Sequence, residues 1–222
     1  MALNIGFILT TLLFLFVFYR GTERNKRVLV LSVLWIFLIS TLAIFDFFQN
    51  TTTMPPRFAI VLIGNLFFIV YCYLQLKSVT QDYRYSMLVH SLRIAVEIGL
   101  YFLYLQKQIP EIMTFEGWNF DIIMGISALI LFLSSYFFKT KPSLKLLLLW
   151  NFLGLMLLLN IVVIAILSAP LPFQQLSFDQ PNVAVLEFPF ILLPSFIVPI
   201  VILTHILSIK QLLTIKLQLS SI

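Results

Sequence analysis

Long apolar runs separated by short polar turns make up most of the chain. Seven of these runs approach the roughly 20 residues that a helix needs to cross a bilayer. They predict an all-α polytopic membrane protein, a single domain over residues 1–222 built as a bundle of seven transmembrane helices. The predicted spans are 3–19, 28–45, 58–76, 86–105, 121–138, 144–167 and 189–209.

The fourth predicted span, 86–105, carries ionisable residues in its middle. His90, Arg93 and Glu97 fall within about 60° of one another around a helix, and the opposite face is apolar. Because lipid cannot satisfy such a polar stripe, the stripe must face protein or water. We therefore expect this helix to organise the bundle.

Polar residues also interrupt other spans, at several depths. These further candidates for a cavity or pathway are Asn65, Asn151, Asn160 and His205. In one interpretation the polar residues line a route for a solute or a proton, since ionisable groups inside a membrane often mark such routes. In the other, Arg93 and Glu97 pair across one helical turn and the amides and imidazoles hold the helices together.

Prolines mark the seventh predicted span. Pro194 and Pro199 each remove a backbone hydrogen-bond donor, so we expect the helix to kink or loosen there. The kink is interpreted either as a static irregularity or as a hinge of the kind found in transporters.

Composition agrees with a membrane location. The chain is 61% hydrophobic and 10% charged, with a mean hydropathy of +1.05, whereas soluble domains average about 45–50% apolar and about 25% charged residues. The net charge of +5 would be compatible with a nucleic-acid partner. The positions of the basic residues argue against one.

Basic residues are concentrated on one side of the predicted bundle. The turns after spans one, three and five, together with the C-terminal tail, hold eleven Lys or Arg residues, and the opposite loops hold two. Basic residues of short loops remain cytoplasmic, so the N-terminus is predicted outside and the C-terminus inside. Acidic residues follow the opposite trend, either as an outward-facing site or as a solvated rim. The outer-face candidates are Asp46, Asp121, Asp179 and Glu187.

Few residues are available for cofactor or catalytic chemistry. His90 and His205 are predicted at similar depth and could hold one haem iron from two sides, which is the only cofactor hypothesis left open. Two histidines and one cysteine are too few for a zinc site. No G-x-S-x-G motif is present, so no catalytic residue is predicted and the chain is not expected to be an enzyme.

The C-terminal third carries a resemblance. Its segments WNFLGLMLLLNIVVIAILSAPLPFQ, at 150–174, and PNVAVLEFPFILLPSFIVPIVILTH, at 181–205, resemble a family of bacterial multi-span membrane proteins without an assigned function. The resemblance implies a bacterial inner membrane and says nothing about activity.

These observations lead to three functional hypotheses. The first is transport or sensing of a small solute or ion through a polar cavity beside the fourth helix. The second is an accessory subunit of a larger membrane complex, and the third is a haem or redox protein of the membrane. The expected partners are membrane lipid, a small molecule or ion, and further copies or other subunits, but not nucleic acid.

Overall fold

The structure is a computed structural model, and it describes residues 1–139 and 142–220. Lys141, one of the basic residues used to orient the bundle, lies outside the described residues. Within them all regular secondary structure is helical and no strand is present, so the predicted all-α class is confirmed. The α-helices are α1 Ala2–Gly21, α2 Lys26–Ile44, α3 Ala59–Leu76, α4 Tyr83–Ser91, α5 Arg93–Leu105, α6 Asp121–Phe137, α7 Leu144–Ser168 and α8 Val198–Ser220.

Six described helical segments are long and apolar enough to cross a membrane, with α4 and α5 counted together as one segment. The seventh apolar helix, α6, has 17 residues. At 1.5 Å per residue its length is about 25 Å, less than the roughly 30 Å of the hydrocarbon core. The chain is therefore a helical membrane protein, and α6 is the shortest of the helical segments that correspond to its predicted spans.

The fourth predicted span is not one continuous helix. It divides at Leu92 into α4 and α5. Ser91 Oγ donates a 2.8 Å hydrogen bond to the Leu88 carbonyl, and a serine that bonds back onto its own helix competes with the backbone ladder and bends the helix. The break lies between His90 and Arg93, and Leu92 itself keeps right-handed helical dihedrals, with φ −63° and ψ −16°.

The seventh predicted span begins later and extends further than its sequence pattern indicated. The helix starts with a π-helical turn, Leu193–Ile197, and continues as α8 to Ser220. The expected effect of Pro194 and Pro199 is thus observed as a wide turn at the start of α8. Pro199 cannot supply an N–H, which leaves carbonyl groups of the π-turn without a partner inside the helix.

Helix α8 shares the centre of the bundle with α4 and α5. In the most apolar stretch of the segment Leu193–Leu219, which contains the π-turn and α8, 50% of the residues are buried. The corresponding share is 44% for the α4–α5 segment and 22–33% for the other long helices. It packs against α3, α4 and α7, while the π-turn packs against α1, α2 and α3. The fourth predicted span is therefore central, as expected, but it is not the only central helix.

The two ends of the bundle differ in character. At one end the basic turns meet, because Arg20 reaches Tyr85, Arg27 reaches Gln75, and the Lys210 ammonium donates to a backbone carbonyl of the turn after α3. At the other end the long loops fold onto the helices. Residues 106–120 carry a 3₁₀ turn at Glu111–Met113, of which Met113 is buried, and the loop at 169–188 is tied to the end of α7 through Asn182.

Candidate functional site

Two buried histidines and a partly buried tryptophan pack together at the break between α4 and α5. His90 and His205 are both fully buried, and their rings stack with centroids 4.0 Å apart and planes 30° apart. Trp150 packs its ring edge-on against His90 at 5.2 Å. The two histidines do meet at one depth, as expected, but stacked imidazoles leave no space for a porphyrin between them. The arrangement does not fit haem ligation by this pair.

Hydrogen bonds fix the tautomer of His205. The Arg93 guanidinium, which can only donate, lies 3.5 Å from His205 Nε2, so Nε2 accepts. The ring proton is then on Nδ1, which donates to Asn151 Oδ1 at 2.9 Å. Asn151 in turn donates from Nδ2 to the Leu147 carbonyl at 2.8 Å. Asn151, His205 and Arg93 therefore form one directed chain of bonds.

Arg93 pairs with Asp121 and not with Glu97. The salt bridge joins Arg93 Nη2 to Asp121 Oδ1 between two side chains that are almost entirely buried. The predicted pair across one turn of the helix is therefore wrong, because the break at Leu92 and the start of α6 bring a different carboxylate to the guanidinium. Asp121 was expected at the outer rim and is instead 4% exposed, at the level of Arg93.

Glu97 has a neutral partner that the sequence pattern did not reveal. Asn119 donates from Nδ2 to Glu97 Oε2 at 2.7 Å and to the Met113 carbonyl at 3.0 Å. Its Oδ1 accepts the backbone N–H of Asp121 at 3.1 Å, which orders the first turn of α6. The available signal was the asparagine just before the predicted start of the helix at Asp121, because an Asn side chain commonly accepts the backbone N–H two residues on in an Asx-turn.

Two glycines provide the space that these side chains occupy. A methyl group at Gly154 would lie 2.6 Å from His205 Cε1, and one at Gly125 would lie 2.9 Å from Ile94 Cγ1. Glycine at these positions lets α7 approach His205 and lets α6 approach the beginning of α5. The ion pair between Arg93 and Asp121 depends on the second approach.

Beside this cluster lies a cavity of about 300 Å³, at the lower end of the range for small-molecule sites. It is bounded by α3, α5, α7 and the π-turn with α8. Its polar side chains are Asn65, Arg93, Glu97 and Asp121, and the remainder of its described lining is apolar. A cavity beside the fourth predicted span is therefore present, but it is an apolar cavity with one charged end and not the polar one that we expected.

The cavity reaches the surface of the bundle between α3 and α7. Leu62 and Leu66 of α3 line it and are 37% and 63% exposed. Helices α3 and α7 both pack on α8, and the cavity occupies the space between them. Leu66 lies in the middle of α3, one of the helices that are long and apolar enough to cross a membrane.

The amide of Asn65 donates to a backbone carbonyl that has no helical partner at the start of the last helix. Its Nδ2 donates to the Pro194 carbonyl at 2.7 Å, while Trp35 Nε1 donates to the Ser195 carbonyl at 2.8 Å. These are the two carbonyls that residue 199 would bond through its N–H in a π- or α-helical ladder, and Pro199 has none. Asn65 thus has a structural role at the wall of the cavity.

The other predicted residues lie away from the cluster. Asn160 is exposed and donates to the Trp118 carbonyl at 3.1 Å, so it does not belong to an internal route. Asp46 and Asp179 are exposed and Glu187 is partly exposed, all in loops at the end of the bundle opposite the basic turns. Of the four acidic candidates, Asp121 alone is part of the buried cluster.

Comparison with known proteins gives a family and no function. The chain matches no curated protein and no solved structure. Residues 53–213 match a family described as a domain of unknown function, DUF8737. This range includes all cavity-lining residues and leaves out α1 and α2. The resemblance noted at the C-terminus to proteins without an assigned function is in line with this match, which extends well beyond the last third. The chain belongs to the DUF8737 family.

Proposed function

We propose that this protein binds an apolar or amphiphilic small molecule that reaches it from the bilayer, and that it acts as a carrier or a sensor of that molecule. The observation that carries the proposal is the cavity between α3 and α7, which is apolar, charged at one end and lined by exposed apolar residues at its opening. An apolar lining favours the transfer of an apolar ligand, and a few polar groups orient it.

The proposal includes a membrane topology. All seven apolar helices cross or enter the membrane, with the N-terminus outside, the C-terminus in the cytoplasm and a bacterial inner membrane as the host. It is supported by the eleven basic residues assigned to one side of the sequence and by the meeting of Arg20, Arg27 and Lys210 at one end of the bundle.

Filling the cavity tests the proposal. Val162 and Val163 are neighbours on α7; Val162 lines the cavity, whereas Val163 is 54% exposed and lies outside it. Native mass spectrometry of protein purified in a mild non-ionic detergent should show a retained non-protein mass in the wild type and in Val163→Phe. The mass should be absent in Val162→Phe, because its added ring occupies the cavity.

Two outcomes would contradict the proposal. One is that no variant retains a small molecule, and the other is that Val162→Phe retains as much as Val163→Phe. Either result would favour the accessory-subunit hypothesis, in which the polar cluster only holds helices together.

A further inference from the structure

The charged end of the cavity contains unequal numbers of acidic and basic groups. One guanidinium, that of Arg93, and two carboxylates, those of Glu97 and Asp121, line it. All three side chains are at most 5% exposed. On the side of Arg93 that faces away from the cavity lies His205, a titratable neighbour that accepts from Arg93 and does not line the cavity. With the carboxylates ionised, this end lacks one positive charge.

The positive charge of Arg93 is already matched. Asp121 forms its salt bridge, and His205 takes a second guanidinium nitrogen. Arg93 Nε is a spare donor, buried without a partner among the described residues. An anionic head group at this one spare donor would approach the carboxylates of Asp121 and Glu97 at the same time, so like-charge repulsion opposes its binding.

Glu97 is matched only in part. Its Oε2 accepts from the neutral amide of Asn119, while no hydrogen bond reaches its Oε1 from the described part of the chain. Because the Glu97 side chain is 3% exposed, one amide donor leaves its carboxylate incompletely stabilised. At the opposite wall, Asn65 Oδ1 is a buried acceptor without a partner among the described residues. The Nδ2 of the same amide donates to the Pro194 carbonyl. Among the described residues of the lining, Glu97 Oε1 and Asn65 Oδ1 are thus acceptors without a donor, and Arg93 Nε is a donor without an acceptor.

We infer that the molecule bound in this cavity is a cationic amphiphile, an apolar chain that carries a protonated amine and places it against Glu97. This inference rests on the proposed function, because it names the chemical class of the ligand in the same cavity. The ammonium group supplies the missing positive charge and donates to the free oxygen of Glu97, and the chain lies along the apolar wall toward α3 and α7.

Three ten-carbon probes test this inference. Decylamine, decanol and decanoate have chains of nearly equal length and carry a positive, neutral or negative head group at neutral pH. Thermal unfolding of the purified protein, at equal low mole fractions of probe in a non-ionic detergent, should give an apparent affinity for decylamine at least about tenfold above that for decanoate, with decanol between them. Val162→Phe should remove all three effects, because its ring fills the cavity. Nonspecific partition into the micelle does not need the cavity, so an effect that persists in this variant is nonspecific.

Replacing the carboxylate tests the role of Glu97. In Glu97→Gln, decylamine should lose its advantage over decanol, while decanol still raises the unfolding temperature and so reports an intact cavity. Glu111→Gln, which changes an exposed carboxylate outside the cavity, should keep the wild-type order. Binding of decanoate equal to or tighter than that of decylamine, or an unchanged order in Glu97→Gln, overturns the inference alone. Absence of any cavity-dependent effect from all three probes overturns the proposed function.

Discussion

Trp35 of α2 donates an indole hydrogen bond of 2.8 Å to the carbonyl of Ser195, which lies 160 positions later in the chain. This carbonyl would normally accept from the residue four positions on, which is Pro199 and has no N–H. The indole fits because α3 offers a glycine at that point; a methyl group on Gly64 would overlap Trp35 Cη2. One helix thus satisfies a defect in another while a third makes room.

Removing the indole donor should expose this dependence. We expect Trp35→Phe to lower the free energy of unfolding by about 1–3 kcal/mol, the typical cost of leaving a buried acceptor unpaired. In the Pro199→Ala background the same change should cost less, because that substitution restores a backbone donor. The measurement is a double-mutant cycle of thermal or denaturant unfolding in detergent. Trp118→Phe, at a position 65% exposed, is the control, and equal costs in both backgrounds would refute the interpretation.

The partner of Arg93 can be identified by the same approach. Arg93→Gln and Asp121→Asn should each destabilise the protein by about 3–5 kcal/mol, since each leaves one buried charge unpaired. The double variant should recover part of this loss, with a coupling of about 0.5–3 kcal/mol. The comparison is Arg93→Gln combined with Glu97→Gln, which should show the smaller coupling. A larger coupling to Glu97 than to Asp121 would contradict the observed ion pair.

Gly154 should be intolerant of even one methyl group. Gly154→Ala places a carbon 2.6 Å from His205 Cε1, so the ring must move away from Arg93 and Asn151. We expect a loss of about 1–3 kcal/mol in the free energy of unfolding. Gly6→Ala is the matched control, because nothing lies within 4 Å of the added methyl group there. That change should be neutral or stabilising by up to about 1 kcal/mol through helix propensity.

The orientation is open to cysteine labelling. After replacement of the buried Cys72 by Ala, single cysteines at Thr52 and Asp179 should react in intact cells with an impermeant thiol reagent. Cysteines at Arg24 and Lys139 should react only after the membrane is opened. All four positions are exposed in the structure, so a difference in labelling reports the side of the membrane. The reverse pattern would invert the proposed topology.

The spans were predictable because hydrophobic length is a local property of the sequence. The break at Leu92 was less so, since it depends on which carbonyl the Ser91 hydroxyl selects. Likewise, apolar length does not indicate where a proline-containing helix becomes regular. The predicted start at residue 189 therefore preceded the observed π-turn at Leu193.

The buried cluster was predictable only in part. His90, Arg93, Asn151 and His205 come together because polar groups inside a membrane have few other places to go. The depth of Asp121 depends instead on how residues 106–120 fold, and their pattern carries no period that would reveal it. The cavity is apolar because α3 and α7 stand apart and their apolar side chains form its walls. This separation is a property of the assembled bundle, and no single segment of the sequence reveals it.

The shortness of α6 has a consequence for the membrane itself. Its 17 residues reach about 25 Å, roughly 5 Å less than the hydrocarbon thickness of a typical bilayer. A helix that is too short is accommodated by thinning of the adjacent lipid, at a fraction of a kcal/mol for each ångström of mismatch. The leaflets around the protein are therefore expected to be uneven, thinner beside α6 than beside the 25-residue α7. Such local thinning of the bilayer would favour short-chain lipids beside α6.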